Sequence, residues 1–429
     1  MTSFNGAGGF GGDFYAGFKH IYNPKRVAVL AYANRPFFKR LAKRDEFVGD
    51  TYNHSIFYED PQGGSADFAV ALAQKQASSQ GARFVINRGR EFQAISILAE
   101  EIAASRDDAG SLLRKKKHEM DRVINEMSRR MDIALHGSGT GVLASFTTFS
   151  SVNTTTLVLD TPQLGVRFSQ KQFLQVASTN NTNGTQNTLL NGGVACQIAN
   201  ISRSATTTVI TLNQPLGNLY PGIATSTQYW LCRNGDNLGF SINTPAGGVA
   251  GLKSWLPVTA PTSGDSFWGF DRSVDAQRLA GTRYIGANSE KYEQTFQQAS
   301  AELLLQDSNP SLILASPVDC AKYSQELGNK VRYSPGQAGD TGFRPLLVTG
   351  QSGDMELLPD PQVDPGLFYM LDMDTWSVMH LNALPHLVED DGRPALREAT
   401  GDALEIRWRA WYNLVCDAPG KNLVGTFAT

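Results

Sequence analysis

The residues able to do chemistry are few and scattered. Gly137-Ser138-Gly139-Thr140-Gly141 resembles a phosphate-cradling loop only loosely. It follows a helical pattern instead of a strand, and no Gly-Lys-Ser/Thr closes it, so it lacks the lysine that reaches a phosphate. Gly264-Asp265-Ser266 places a serine beside an acid, but in a Pro/Ser/Gly loop with no obvious histidine partner. Gly350-Gln351-Ser352-Gly353 misses the G-x-S-x-G nucleophile elbow by one position. His20, His54, His118, His136, His380 and His386 lack the His-x-His or His-x-x-x-His spacing of a metal site. Glu389-Asp390-Asp391-Gly392 lacks the ligand spacing of a calcium loop. A hydrolase using Ser266 or Ser352 is therefore the weakest reading. The expectation is a protein that is not an enzyme, with no cofactor and no metal.

Cys196, Cys232, Cys320 and Cys416 are widely spaced, which reads as four separate buried thiols in a reducing compartment. Net charge is −3 over 429 residues, with a sequence pI near 6.1. A protein that grips nucleic acid is usually basic overall, so any DNA contact must be local or weak. A near-neutral surface suits packing against copies of itself. No segment is long and apolar enough to cross a bilayer, and the start has no secretory pattern. The expected setting is the cytoplasm.

Elements must position whatever these residues do. Residues 1–47 open with Gly6, Phe10, Phe14, Tyr15 and Phe18, either a disordered tail or an arm whose aromatics dock on a neighbour. Residues 48–98 read as β. His54, Ile56 and Tyr58 alternate with Ser55, Phe57 and Glu59, a Pro61-Gln62-Gly63-Gly64 turn follows, and a second run goes from Arg83 past Phe92. Two long strands joined by a polar stretch at 74–80 make a ribbon, which is marginal alone in water. If its own domain offers no surface, a neighbouring subunit must. A helix is predicted over 107–136, with Asp107 and Asp108 at its start and Leu113, Met120, Met127 and Ala134 seven residues apart. At 1.5 Å per residue it is a rod of roughly 40 Å. Its Arg114-Lys115-Lys116-Lys117 run is either a solvated face or a patch toward phosphate.

From Phe146 to Gln228 the only charged residues are Asp160, Arg167, Lys171 and Arg203, amid Thr, Asn, Gln and Ser. Five short strands there, with Asn183-Gly184 and Asn191-Gly192 turns, read as an inserted all-β barrel or sandwich over 146–235. The remainder is mixed. Helices around Tyr292 to Leu304 and Asp319 to Leu327 (stopped by Gly328), a buried strand at Ser311 to Ala315, and strands at 366–371 and 376–381 precede a long alternating strand from Leu404 to Leu414.

Tyr52-Asn53-His54-Ser55-Ile56, Pro61-Gln62-Gly63-Gly64-Ser65, Gly269-Phe270-Asp271-Arg272-Ser273-Val274-Asp275, Arg278-Leu279-Ala280-Gly281, residues 369–381 and Asn413-Leu414-Val415-Cys416-Asp417-Ala418-Pro419-Gly420 carry a resemblance. In this order and spacing the chain resembles the major capsid proteins of tailed double-stranded DNA bacteriophages, which have the Hong Kong 97-type fold. That resemblance implies an α+β chain. Residues 1–47 would be an N-terminal arm and the start of a peripheral domain, and 48–98 an extended loop. Residues 99–145 would carry the spine helix at 107–136. An axial α/β domain would span 236–381, with peripheral strands returning over 382–429. It implies assembly with itself into pentamers and hexamers of an icosahedral virion shell, formed in the host cytoplasm around double-stranded DNA touched without sequence readout. A separate scaffolding protein and a portal protein are the expected partners, and whether a decoration protein is used is left open. The extended loop would lie across a neighbour. Phe57, Tyr58, Phe84 and Phe92 are its candidate apolar anchors, and Glu59, Asp60, Arg88 and Arg90 its candidate register-setting charges. Intramolecular packing and ordinary surface charge remain the alternative for all eight. A tail-associated or carbohydrate-binding virion protein is the rival function, prompted by the Thr/Asn-rich segment.

Overall fold

The computed structural model describes residues 35–47, 49, 51–75, 79–98, 100, 109–240, 247–327, 346–389, 396–398 and 401–428, with side chains in the long helix from Met120 onward. The expected arm before residue 35, Asp107, Asp108, the Arg114–Lys117 side chains, Gly328 and the acidic turn beyond Glu389 lie outside them. The chain divides into two compact units, a smaller one of Arg90–Asp132 and His380–Tyr412 with the described residues before Arg40, and a larger one of the rest.

The strands in chain order are β1 (Ala42–Arg44), β2 (Thr51–Glu59), β3 (Gln80–Asn87), β4 (Gly89–Leu98), β5 (Val142–Phe146), β6 (Thr156–Val158), β7 (Phe173–Ala177), β8 (Cys196–Arg203), β9 (Thr208–Leu212), β10 (Tyr229–Arg233), β11 (Ser266–Phe267), β12 (Phe270–Asp271), β13 (Thr282–Ile285), β14 (Leu312–Ala315), β15 (Leu346–Gly350), β16 (Gly353–Pro359), β17 (Leu367–Leu371), β18 (Trp376–Leu387), β19 (Leu396–Arg397), β20 (Ala403–Cys416) and β21 (Leu423–Thr426). The principal helices are α1 (Phe68–Gln74), α2 (Ala109–His136), α3 (Ala276–Ala280), α4 (Tyr292–Leu304) and α5 (Pro317–Leu327).

In the smaller unit, Met120, Ile124, Met127 and Met131 of α2 are buried, the face that the seven-residue spacing anticipates. β20 pairs with β4 and with β19. Its alternation sorts faces by polarity: Ile406, Trp408, Ala410 and Tyr412 are buried, while Glu405, Arg407, Arg409 and Trp411 are not. Arg130 of α2 reaches Glu91 of β4 at 3.0 Å.

In the larger unit, a six-stranded antiparallel sheet runs β5-β10-β7-β8-β9-β6. Its end strands approach each other, since the Asp160 amide donates to the Ser145 carbonyl at 3.0 Å. Leu157, Leu174, Val176, Ile198, Ile210 and Leu231 fill one core beneath it. The sequence marks five of these strands, and β5 is the sixth. A second six-stranded sheet, β13-β21-β17-β14-β16-β15, has parallel pairs at β13/β21 and β14/β16. Phe296, Ala299 and Leu303 recur at helical spacing on α4 and pack with Tyr323 of α5 against Ile313, Phe368 and Met370. Ser316 starts α5 just before Pro317, its hydroxyl accepting from the Asp319 amide at 3.2 Å, as an N-cap ahead of a first-turn proline should.

β2 pairs antiparallel with β3 from Thr51↔Asn87 to Glu59↔Gln80. This corrects the ribbon read from sequence in two ways. The β run from Arg83 past Phe92 is broken at Arg88, and only its first part pairs with β2, while β4 turns away to β20. The connection is also not merely polar turn, for it carries α1, whose N-cap Asp67 accepts from the Ala69 amide at 2.8 Å.

Candidate subunit-interface surface

The ribbon has a root and an outer half with opposite surroundings. At the root, His54, Ile56, Ala82, Phe84 and Ile86 are buried. Phe84 meets Trp255, Phe267 and Phe270 with ring centroids 5.9, 5.9 and 5.8 Å away, all edge-on, the favoured geometry for aromatic pairs. The Val85 amide donates to the Trp268 carbonyl at 3.1 Å, and the Asn413 amide group to the Asn87 carbonyl at 2.7 Å. His54 Nε2 lies 3.1 Å from the Cys416 carbonyl and 3.6 Å from Asp417. Burial pushes its imidazole below the ordinary value, with Asp417 opposing. The root therefore finds its burial inside its own chain.

From Phe57 through Gly81 none of the described residues is buried. The apolar side chains there are large and open: Phe57 is 74% exposed, Phe68 80%, Val70 43% and Leu72 51%. Three of the four sit on α1, whose seven residues include no buried one. A short helix with open apolar side chains gains little from folding alone, and large apolar side chains left open along one stretch are candidates for a binding surface. Glu59, Asp60 and Asp67 are exposed along the same stretch.

The eight residues singled out from sequence thus divide. Phe57, Glu59 and Asp60 are exposed on the outer half, and Tyr58 is half-buried at its inner end. Phe84 is a correction. It is 0% exposed and fills the chain's own aromatic cluster, so it cannot anchor a neighbour. Arg88 is half-buried at the break between β3 and β4. Arg90 and Phe92 are exposed on β4, which belongs to the smaller unit, and Phe92 is 57% exposed. Sequence reasoning missed Phe68, Val70 and Leu72. The available signal was Asp67 as an N-cap ahead of an apolar run.

The other chemistry-bearing segments have structural employment. Gly139 has φ +76°, and a Cβ there would stand 2.5 Å from the Phe240 ring, so this glycine is required by packing. Asp265 is held by Arg272 at 2.7 Å, both buried, with the guanidinium 3.7 Å over the Phe267 ring. Gly350 faces Gly353 across the β15–β16 hairpin, so Ser352 sits in a turn between strands and not on a strand-to-helix elbow. All four cysteines are free, and Cys320 is half-buried instead of fully buried as expected. His136 and Asp360, both buried, stand 3.3 Å apart. Burial of such a pair is repaid only when each charge is compensated, and the imidazole holds the Asp360 carboxyl below the usual range.

No family model and no curated relative matches the chain. Solved structures similar to it include the cyanophage A-1(L) capsid asymmetric unit, at 11% identity and a TM-score of 0.48, covering 94% of this chain and 93% of that one. The capsid of the native GTA particle is similar at 8% identity and a TM-score of 0.45, with 92% and 91% covered. The SrpI encapsulin complex of Synechococcus elongatus PCC 7942 is similar at 8% identity and a TM-score of 0.40, with 91% and 86% covered. Phage capsid and encapsulin shells thus recur among the similar structures. At these scores the likeness is loose.

Proposed function

We propose that this chain is a shell-building structural protein, the major capsid protein of a tailed phage with a Hong Kong 97-type fold. It would assemble into the pentamers and hexamers of an icosahedral head around double-stranded DNA. The carrying observation is the ribbon's outer half, where Phe57, Phe68, Val70 and Leu72 are exposed and none of the described residues from Phe57 to Gly81 is buried. A ribbon rooted in one body and apolar at its far end fits a contact with a second copy. Many such modest contacts become strong together once a shell closes. The sheet of residues 142–233, with its own core, is read as the inserted β module. A separate scaffolding protein, a portal and packaged DNA are the partners of this reading, with a decoration protein optional.

The test is electron microscopy of the purified chain, alone and with a candidate scaffolding protein, beside a variant lacking residues 62–80. The wild type should give closed particles of many copies, and the deletion a folded chain that does not assemble. Normal shells from the deletion, or a trimer from the wild type, would refute the reading.

A further inference from the structure

We infer that Arg278 is a positioning residue that sets the angle at which the ribbon's outer half leaves the body. The inference rests on the shell role proposed for that ribbon. At Tyr58 the strand register slips: Phe57 faces Gly81 and Glu59 faces Gln80, so Tyr58 has no residue opposite. Such a bulge bends its strand and disrupts the ladder there. The Tyr58 carbonyl accepts from the Arg278 guanidinium at 2.6 Å. A charged donor makes this roughly twice as strong as a neutral hydrogen bond.

The bond falls at the boundary between the two halves. Inward of it, Ile56 and Ala82 are buried. Outward, no described residue is buried until the chain returns past Gly81. On the other side of the slip, the Phe57 ring covers Gly81, where a Cβ would stand 3.2 Å from ring carbons.

Arg278 is itself well held. It lies on α3, where the Asp275 carboxylate caps its amide at 2.9 Å and stands 3.7 Å from its guanidinium. Gly420 packs so closely that a Cβ there would be 2.9 Å from the Arg278 Cα. The backbone is thus a fixed post, while the side chain is 49% exposed. Changing the ribbon's angle then requires releasing one accessible bond, with no repacking of the aromatic cluster at Phe84. Subunits placed in different local geometries would need that adjustment.

The test is hydrogen exchange on the unassembled full-length chain, comparing wild type, Arg278→Ala and Arg278→Lys. Amides of 57–60 and 79–82 should exchange about tenfold faster in R278A, the loss of a hydrogen bond of about 1.4 kcal/mol. Amides of 84–87 should be unchanged, and R278K, keeping one donor, should fall between. Unchanged exchange in R278A, or an equal rise across 84–87, would overturn the inference. Because exchange is read before assembly, a wild type that never forms shells would refute the shell role and leave this result standing.

Discussion

The Arg167 guanidinium, on the segment between β6 and β7, donates to the Asp364 carboxylate at 2.9 Å, close to the start of β17. The same guanidinium donates to the Leu143 carbonyl at 2.8 Å, and Lys253 binds the other oxygen of Asp364. One carboxylate thus serves two cations and ties the antiparallel sheet of residues 142–233 to the mixed sheet. Arg167 is one of only four charged residues in the polar stretch from Phe146 to Gln228, and it is 4% exposed.

Lys253 and Arg167 hold the Asp364 carboxyl down to about 2. Its folded value lies below the unfolded value of about 3.9, so its contribution is complete above roughly pH 4 and lost as pH falls toward 2. Asp364→Asn should cost about 2–4 kcal/mol at pH 7, and the gap to wild type should shrink steadily below pH 4. Urea unfolding across that window checks it. A gap that stays constant to pH 2 contradicts the assignment.

Two phenylalanines of the ribbon should behave oppositely. Phe84→Ala opens a void among Trp255, Phe267 and Phe270 and should lower stability by about 3–5 kcal/mol. Phe57→Ala removes a side chain that is 74% exposed and should leave stability within about 0.5 kcal/mol while impairing assembly. Denaturant unfolding paired with sedimentation separates the two effects.

The native thiols should be slow. Burial pushes the Cys232 and Cys320 thiols up to about 12, and Cys196 and Cys416 upward as well. At pH 8 that leaves about one thiolate in ten thousand for a thiol at 12. A thiol reagent should react with the folded chain over hours, Cys320 first because it is only half-buried, and with the unfolded chain at once. Rapid reaction of Cys416 in the folded chain would contradict its burial.

Periodic segments were the legible part. The Met120-to-Met131 face of α2, the alternation of β20, α4 and most strands between 156 and 233 follow from apolar spacing, because each buries one face against its own unit. The ribbon was half legible. Its strand β2 is plain, but between Ile86 and Phe92 the sequence offers only the polar interruption Asn87-Arg88-Gly89-Arg90-Glu91, and nothing local says that the chain changes partner from β2 to β20 there. The helix α1 was hidden because a glycine-rich turn precedes it and its apolar residues face outward, so no amphipathic pattern forms. Phe84 and Phe57 are indistinguishable by residue type. Register against β2 and the nearby Trp255 decide which is interior, and both are long-range facts. The Arg278–Tyr58 bond, spanning 220 residues, was beyond reach for the same reason.

In the assembled shell the open apolar end of the ribbon should be covered by another copy. Phe68→Cys places a thiol on α1 where the native side chain is 80% exposed, against a background of slow native thiols. Labelling rates should be measured on the unassembled chain and on purified particles at one pH. The free chain should label rapidly and the particles at least about tenfold more slowly, as expected for a buried contact. Equal rates in the two states would contradict it.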